Sequence, residues 1–341
     1  MPPFSFCKFR DVRRRRPIPH LVWLALLLGL SGCATALPPG QTADFPARCH
    51  GSGVIRCVGF DSAPDIDPHI DPPWGQKQKL GRVVTDVKAS GSGSLRFEIP
   101  SNSGSDSSGS FWLNFKDDLS AQFGEGDEFY IQWRQRFSQE FLDTEFPGGG
   151  GWKQFIVGEG DRPGTTAYSC TQLEIVVNNP YYLGSPAMYH SCGGKDGDFE
   201  GLPSTGSARY YPNEWMTFQL HVKIGTWYKN DSRYHGDSTI QLWVAREHQP
   251  SKLVVNLSPE PATLFGMRIP GTGTGYDLAN SNPDAKYGKL WLLPYNTNKD
   301  SSASHPTAYT WYDELIVSTK RIPCGFKILV QHPYPGSSRI E

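Results

Sequence analysis

The 341-residue chain has no apolar run long enough to cross a bilayer comfortably; the longest, Leu21 to Leu30, spans about ten residues. Neither charge is in excess, with 33 Lys and Arg against 34 Asp and Glu. That balance excludes a nucleic-acid binder built on bulk positive charge. None of the 7 cysteines are spaced C-x-x-C, which argues against a structural zinc site. There is no G-x-S-x-G elbow, H-E-x-x-H pair, phosphate-binding loop or EF-hand loop. No strand carries acidic residues alternating along one face. The segment Gln172-Leu173-Glu174-Ile175-Val176 holds one carboxylate, so a retaining glycosidase would need its partner from elsewhere. No convincing amphipathic helix and no internal repeat is found.

What the chain does hold is punctuation and short extended runs. Gly (36) and Pro (28) are abundant, and 13% of residues are aromatic. Between the turn residues lie candidate strands at 94–99, 111–115, 128–137, 152–157, 172–177, 215–224, 239–245, 289–293 and 310–318. In 215–224, Trp215, Thr217, Gln219, His221 and Lys223 share one face, and Met216, Phe218, Leu220, Val222 and Ile224 share the other. Alternation of this kind marks half-buried antiparallel strands. The expectation is one all-β domain over 49–323, a β-sandwich or jelly roll, followed by a weakly ordered tail over 324–341.

The N-terminus reads as an address. Lys8, Arg10 and Arg13 to Arg16 precede the apolar run, which ends in Leu30-Ser31-Gly32-Cys33. This resembles the bacterial lipobox, which implies removal of residues 1–32 and lipidation of Cys33. Ala34 at the next position, by resemblance to Gram-negative lipoproteins, implies the outer membrane. Contact with the membrane would then be through the lipid alone, with 33–48 as a tether. Removing 1–32 leaves 27 basic and 33 acidic residues. In such an oxidising compartment disulfides are expected; sequence does not fix their connectivity, and Cys49–Cys57 with Cys170–Cys192 are the pairings that close the shortest loops, leaving Cys324 odd.

Several polar residues sit on otherwise apolar strands: Arg96 with Glu98, Arg134 with Arg136, and Gln154, Glu174, Gln219 and His221. On one concave sheet they would line a groove for polysaccharide hydroxyls, with Trp133, Trp152, Tyr181, Tyr182, Tyr189 and Trp227 for sugar faces. The same alternation also forms ordinary solvated faces with ion pairs across strands.

From about residue 58 to 323 the chain resembles the concanavalin A-like jelly-roll polysaccharide lyases, the heparinase-I-like and alginate-lyase-like group. Leu95-Arg96-Phe97-Glu98-Ile99 is similar to the group's R-x-E-L strand, and Trp152-Lys153-Gln154-Phe155 to its Gln-bearing strand. Glu214 to Lys223 is similar to its W-x-x-F-x-x-H-V-K strand, Lys286 to Asn296 to its Y-x-K-x-G-x-Y strand, and Trp311 to Ile316 to its closing strand. The resemblance implies β-elimination on a uronate-containing, acidic polysaccharide by a monomeric enzyme. Arg96 and Gln154 would neutralise the uronate carboxylate, Tyr295 would act as base and acid, and Lys289 would be a neighbouring cation. Ile156 stands where the group has His, so His190 is the candidate replacement. The Lys289–Tyr295 spacing is two residues longer than the group's, with Pro294 inserted. Arg134, Arg136, Trp152, Glu174 and Tyr189 are the candidate substrate contacts. Asp61 and Asp313 resemble the fold's structural calcium site. Two other readings stand beside the lyase: a non-catalytic carbohydrate-binding envelope protein, and a glycoside hydrolase using Glu174 with Glu98 or Glu159.

Overall fold

The computed structural model describes residues 45–71, 81–146, 150–168, 173–191, 200–202, 204–260, 263–264, 267–268 and 273–323. Two short helices, α1 (Phe45–Cys49) and α2 (Gln139–Asp143), accompany the strands. In chain order these are β1 (Val54–Val58), β2 (Ile70–Asp71), β3 (Arg82–Val84), β4 (Ser94–Ile99), β5 (Ser110–Asn114), β6 (Glu128–Phe137), β7 (Gly151–Glu159), β8 (Glu174–Pro180) and β9 (Ala187–Ser191). They continue with β10 (Glu200–Leu202), β11 (Met216–Lys223), β12 (Thr239–Ala245), β13 (Lys252–Leu257), β14 (Thr263–Leu264), β15 (Met267–Arg268), β16 (Tyr287–Leu292) and β17 (Ala308–Ser318).

The strands form two antiparallel sheets. Sheet I runs β13-β12-β11-β6-β17-β4-β3, with β1 also paired to β17. Sheet II runs β10-β9-β8-β7-β16-β5-β2. The expected all-β sandwich is therefore present. Its core is the apolar parity of each strand turned inward: Trp133 of sheet I stacks on Phe155 of sheet II with ring centroids 4.3 Å apart, and on Phe218 at 5.3 Å. Full burial of each such ring contributes roughly 1.5–3 kcal/mol. Trp133 and Trp227, read from sequence as sugar contacts, are core residues.

The packed region starts before residue 49. Helix α1 lies within the segment expected to be a tether, and Arg48 is buried, donating to Gln132 at 2.5 Å and pairing with Glu314. Cys49 and Cys57 are bridged, with Cα atoms 5.8 Å apart. The Cys170–Cys192 pairing, Cys324, Cys33, the signal segment and the C-terminal tail lie outside the described residues. Among the described residues no helix is long and apolar enough to cross a membrane.

Candidate active site

Cross-strand register decides which side chains meet, because directly opposed residues share a face. On sheet II one row reads His190–Ile175–Val157–Leu290–Leu113. Four of these five are core residues, so this row faces the sandwich interior. His190 lies with them, its Nδ1 3.1 Å from the hydroxyl of the core residue Tyr276. The next row, Tyr189–Val176–Ile156–Trp291–Trp112, faces outward. It packs as a second, smaller apolar cluster that also includes Leu293.

A bulge fixes what happens on β7. The β7–β8 register slips between Lys153 and Phe155, so Gln154 is an extra residue. Trp152, Gln154 and Phe155 all turn inward, and Lys153 and Ile156 turn outward. Trp152 packs on Phe137, Phe141 and Tyr210. Gln154 is fully buried and accepts from the Tyr210 hydroxyl at 2.6 Å. Neither side chain reaches the outer face, where a substrate would lie.

Lys153 does. Its ammonium lies 5.0 Å from the centroid of the Tyr295 ring and 5.5 Å from that of Tyr189. It is 3.5 Å from a carboxylate oxygen of Glu174. Asn178, directly opposite Lys153, is buried on the same face, and its Oδ1 has no hydrogen-bond partner among the described residues. The Lys153 side chain keeps 23% exposure and Tyr295 is half-buried, whereas Glu174 and Tyr189 are buried. Burial pushes the Glu174 carboxyl up, against the opposing pull of the Lys153 ammonium. Burial, reinforced by the Glu174 charge, also pushes the Tyr189 phenol up, so it holds its proton.

Lys289 shares this face with Tyr295 but is not its neighbour. It is buried, donates to Asp161 and to the Ala167 carbonyl, both at 2.9 Å, and lies 4.4 Å from the Trp112 ring. It acts as a structural cation under the aromatic row rather than as a neighbour able to tune Tyr295.

Arg96, Arg134 and Arg136 lie on sheet I, facing away from sheet II. Arg134 is spoken for by Glu247 at 3.0 Å and Glu314 at 3.7 Å. The structure thus brings together Glu174, Tyr189 and Tyr295, and separates them from the interior Gln154, Trp152 and His190 and from the three arginines. Lys153 is the residue that sequence reading passed over. A strict alternation ties Lys153 to Phe155 and Val157, and only the bulge at Gln154 frees it to face outward.

The hydrolase pairing does not converge. Glu98 is on sheet I, and Glu159 stands opposite the core residue Tyr287 and pairs with Arg162 at 3.0 Å. Asp61 and Asp313, the expected cation ligands, each accept backbone N–H groups. Asp61 accepts from the backbone N–H groups of Ser92 and Gly93. Asp313 accepts from Ala89 at 2.7 Å, Ser90 at 3.2 Å and Glu314 at 2.7 Å. N–H donors converging on these carboxylates make them anchors for the 89–93 loop, and no cluster of three metal-ligating side chains occurs among the described residues.

No family model matches the sequence, and no curated protein matches it. Solved structures do. The PL-14 alginate lyase of Aplysia kurodai superposes with a TM-score of 0.53 at 15% identity, covering 79% of this chain and 100% of that one. An endo-β-1,4-glucuronan lyase of Trichoderma reesei gives 0.44 at 15% identity, covering 74% and 94%. An alginate lyase from a Chlorella virus gives 0.41 at 12%, covering 78% and 99%. The first of these likenesses establishes the fold, a jelly-roll β-sandwich; identities this low speak to fold alone.

Proposed function

We propose that the outer face of sheet II is the catalytic face of a polysaccharide lyase that cleaves a uronate-containing polymer by β-elimination. The observation that carries this reading is the Lys153 ammonium held between two tyrosine rings and against a buried glutamate on that face. The activity of the Aplysia alginate lyase, which shares the fold, supports it.

The C5 proton of a uronate is too weakly acidic to leave while the adjacent carboxylate carries its full charge. Lys153 supplies the neutralising cation, and Glu174 holds that ammonium in place from below. Tyr295, the more accessible phenol, takes the C5 proton in its phenolate form. The C5–H electron pair becomes the C4=C5 double bond and the C4–O4 bond breaks. The departing oxygen then receives that proton back from Tyr295.

The test is the ultraviolet absorbance of the conjugated double bond on alginate, glucuronan and glycosaminoglycans. Lys153→Ala and Tyr295→Phe are each expected to lower kcat/KM by about 10²–10³-fold, with circular dichroism unchanged. Retained polymer binding without product on any of these substrates would instead support a non-catalytic carbohydrate-binding protein.

We further propose, from the lipobox-like segment, that the domain is tethered to the cell envelope through lipid on Cys33. Radiolabelled palmitate incorporation that is lost in Cys33→Ser tests this.

A further inference from the structure

The arginines that the catalytic face does not use are themselves arranged. On the outer face of sheet I the cross-strand register runs Arg82–Arg96–Trp311–Arg136 over β3, β4, β17 and β6. Tyr309, two residues before Trp311 on the same face, has its ring centroid 5.9 Å from that of Trp311 and 5.1 Å from the Arg96 guanidinium carbon. The register gives one aromatic step with a guanidinium on either side.

The charges here are poorly balanced. Arg82 meets Glu98 at 3.4 Å, with the Arg82 side chain 60% exposed, so that pair neutralises little. Arg96 and Arg136 have no carboxylate within ion-pair distance among the described residues, and the Nε of each is buried without a hydrogen-bond partner. The buried Trp311 Nε1–H also has no acceptor among the described residues. Arg134, the neighbouring cation, differs in pairing with the carboxylates of Glu247 and Glu314, although its Nε is also without a partner among the described residues. A guanidinium nitrogen buried without an acceptor costs free energy that an anionic ligand meeting the group would offset. Three adjacent strands place Arg96 and Arg136 about 10 Å apart, the span of two units in an extended sugar chain, with the aromatic step between.

We propose that this stripe on sheet I is a second, non-catalytic binding surface for an anionic polysaccharide. The chain would lie across the strands, its acidic groups on Arg96 and Arg136 and a sugar ring against Tyr309, which is partly exposed and backed by the buried Trp311. The choice of polysaccharide rests on the lyase reading of sheet II, whereas the anion-binding geometry does not. A chain whose charges nearly balance, 33 basic against 34 acidic, offers no broad positive field for a phosphate backbone, which favours a sugar chain over a nucleic acid.

The test uses the full chain and immobilised alginate, glucuronan, a sulfated glycosaminoglycan, a neutral glucan and single-stranded DNA. Arg96→Ala/Arg136→Ala is expected to weaken uronate-polymer binding about tenfold or more and to flatten its salt dependence. Neutral glucan binding should not change. Arg96→Gln/Arg136→Gln, which keeps side-chain bulk, serves if the alanine variant does not fold. Tighter binding of the sulfated chain would assign sulfate rather than carboxylate to the two guanidinium groups. Uronate affinity equal to wild type in both double variants would overturn the proposal, as would DNA bound as tightly as the uronate polymers. Absence of product with charge-dependent polymer binding would sink the lyase reading and leave this one standing.

Discussion

At the residue scale, Glu174 is the group whose chemistry is most exposed to experiment. Its carboxyl is raised by burial, so it takes up a proton at a higher pH than an ordinary glutamate. Protonation removes the partner 3.5 Å from the Lys153 ammonium and lets that side chain swing. Activity should therefore fall on acidification, beginning above the usual carboxylate range. Glu174→Gln keeps the shape and removes the titration. It is expected to cost about tenfold in kcat/KM at neutral pH and to flatten the acid limb of the profile. A variant profile that keeps the wild-type acid limb would count against Glu174 as the positioning residue. The folding linkage has its own sign. A raised carboxyl pKa favours the protonated folded form, so Glu174 opposes folding increasingly as pH rises.

At the scale of elements, regular strands were legible and irregular ones were not. Ser94–Ile99, Glu128–Phe137 and Thr239–Ala245 have the boundaries that alternation predicts, because nothing interrupts their period of two. Strand β9 was missed, since Ala187–Ser191 lies between a Pro-containing turn and a Gly-rich stretch and has no long apolar parity. The bulge at Gln154 carries the largest consequence: one extra residue turns the Gln expected at the site into the core and brings Lys153 out in its place. Lys289 and Tyr295 show a subtler limit. Parity places both on one face, as the spacing suggests, but cannot reveal that Asp161 and two tryptophan rings have already claimed the lysine. The β8–β9 turn gives an element-scale prediction. Leu183 donates to the Pro180 carbonyl, and both central residues, Tyr181 (φ 47°) and Tyr182 (φ 56°), are left-handed. A Cβ disfavours that conformation by roughly 1–2 kcal/mol, and Asn tolerates it better because its short amide can hydrogen-bond locally. Tyr181 is 76% exposed, so little packing is lost on replacement. Tyr181→Asn is expected to raise stability by about 0.5–1 kcal/mol, measured as the urea midpoint at constant m. An unchanged or lower midpoint would mean that the tyrosine makes up the cost elsewhere.

At the scale of the whole molecule, both ends of the described chain pack on sheet I. Arg48 reaches Glu314, the Ile322 N–H donates to Gln219 at 3.0 Å, and Arg321 lies 4.9 Å from the Trp243 ring. Sheet II is thereby left to the proposed chemistry, and sheet I carries the closure of the sandwich. Asp313 is central to that closure. It is fully buried on β17, beside the Arg48–Glu314 pair, and holds the 89–93 loop through Ala89 and Ser90. Burial, helped by the Glu314 charge and opposed by the three N–H donors, pushes its carboxyl up to about 7 from 3.8. The folded state therefore binds a proton that the unfolded chain releases between those values. The contribution of Asp313 to stability is present below about pH 4 and is lost as pH rises through about 7. The full swing is on the order of 4 kcal/mol. Asp313→Asn should start from a lower stability, since an amide keeps one acceptor where the carboxylate uses two. Its stability should nonetheless decline less between about pH 4 and pH 7.5 than that of the wild type. Urea midpoints across that range read the slope directly, and parallel slopes for the two proteins would show that Asp313 is ionised in the fold throughout, with the loop N–H groups outweighing its burial.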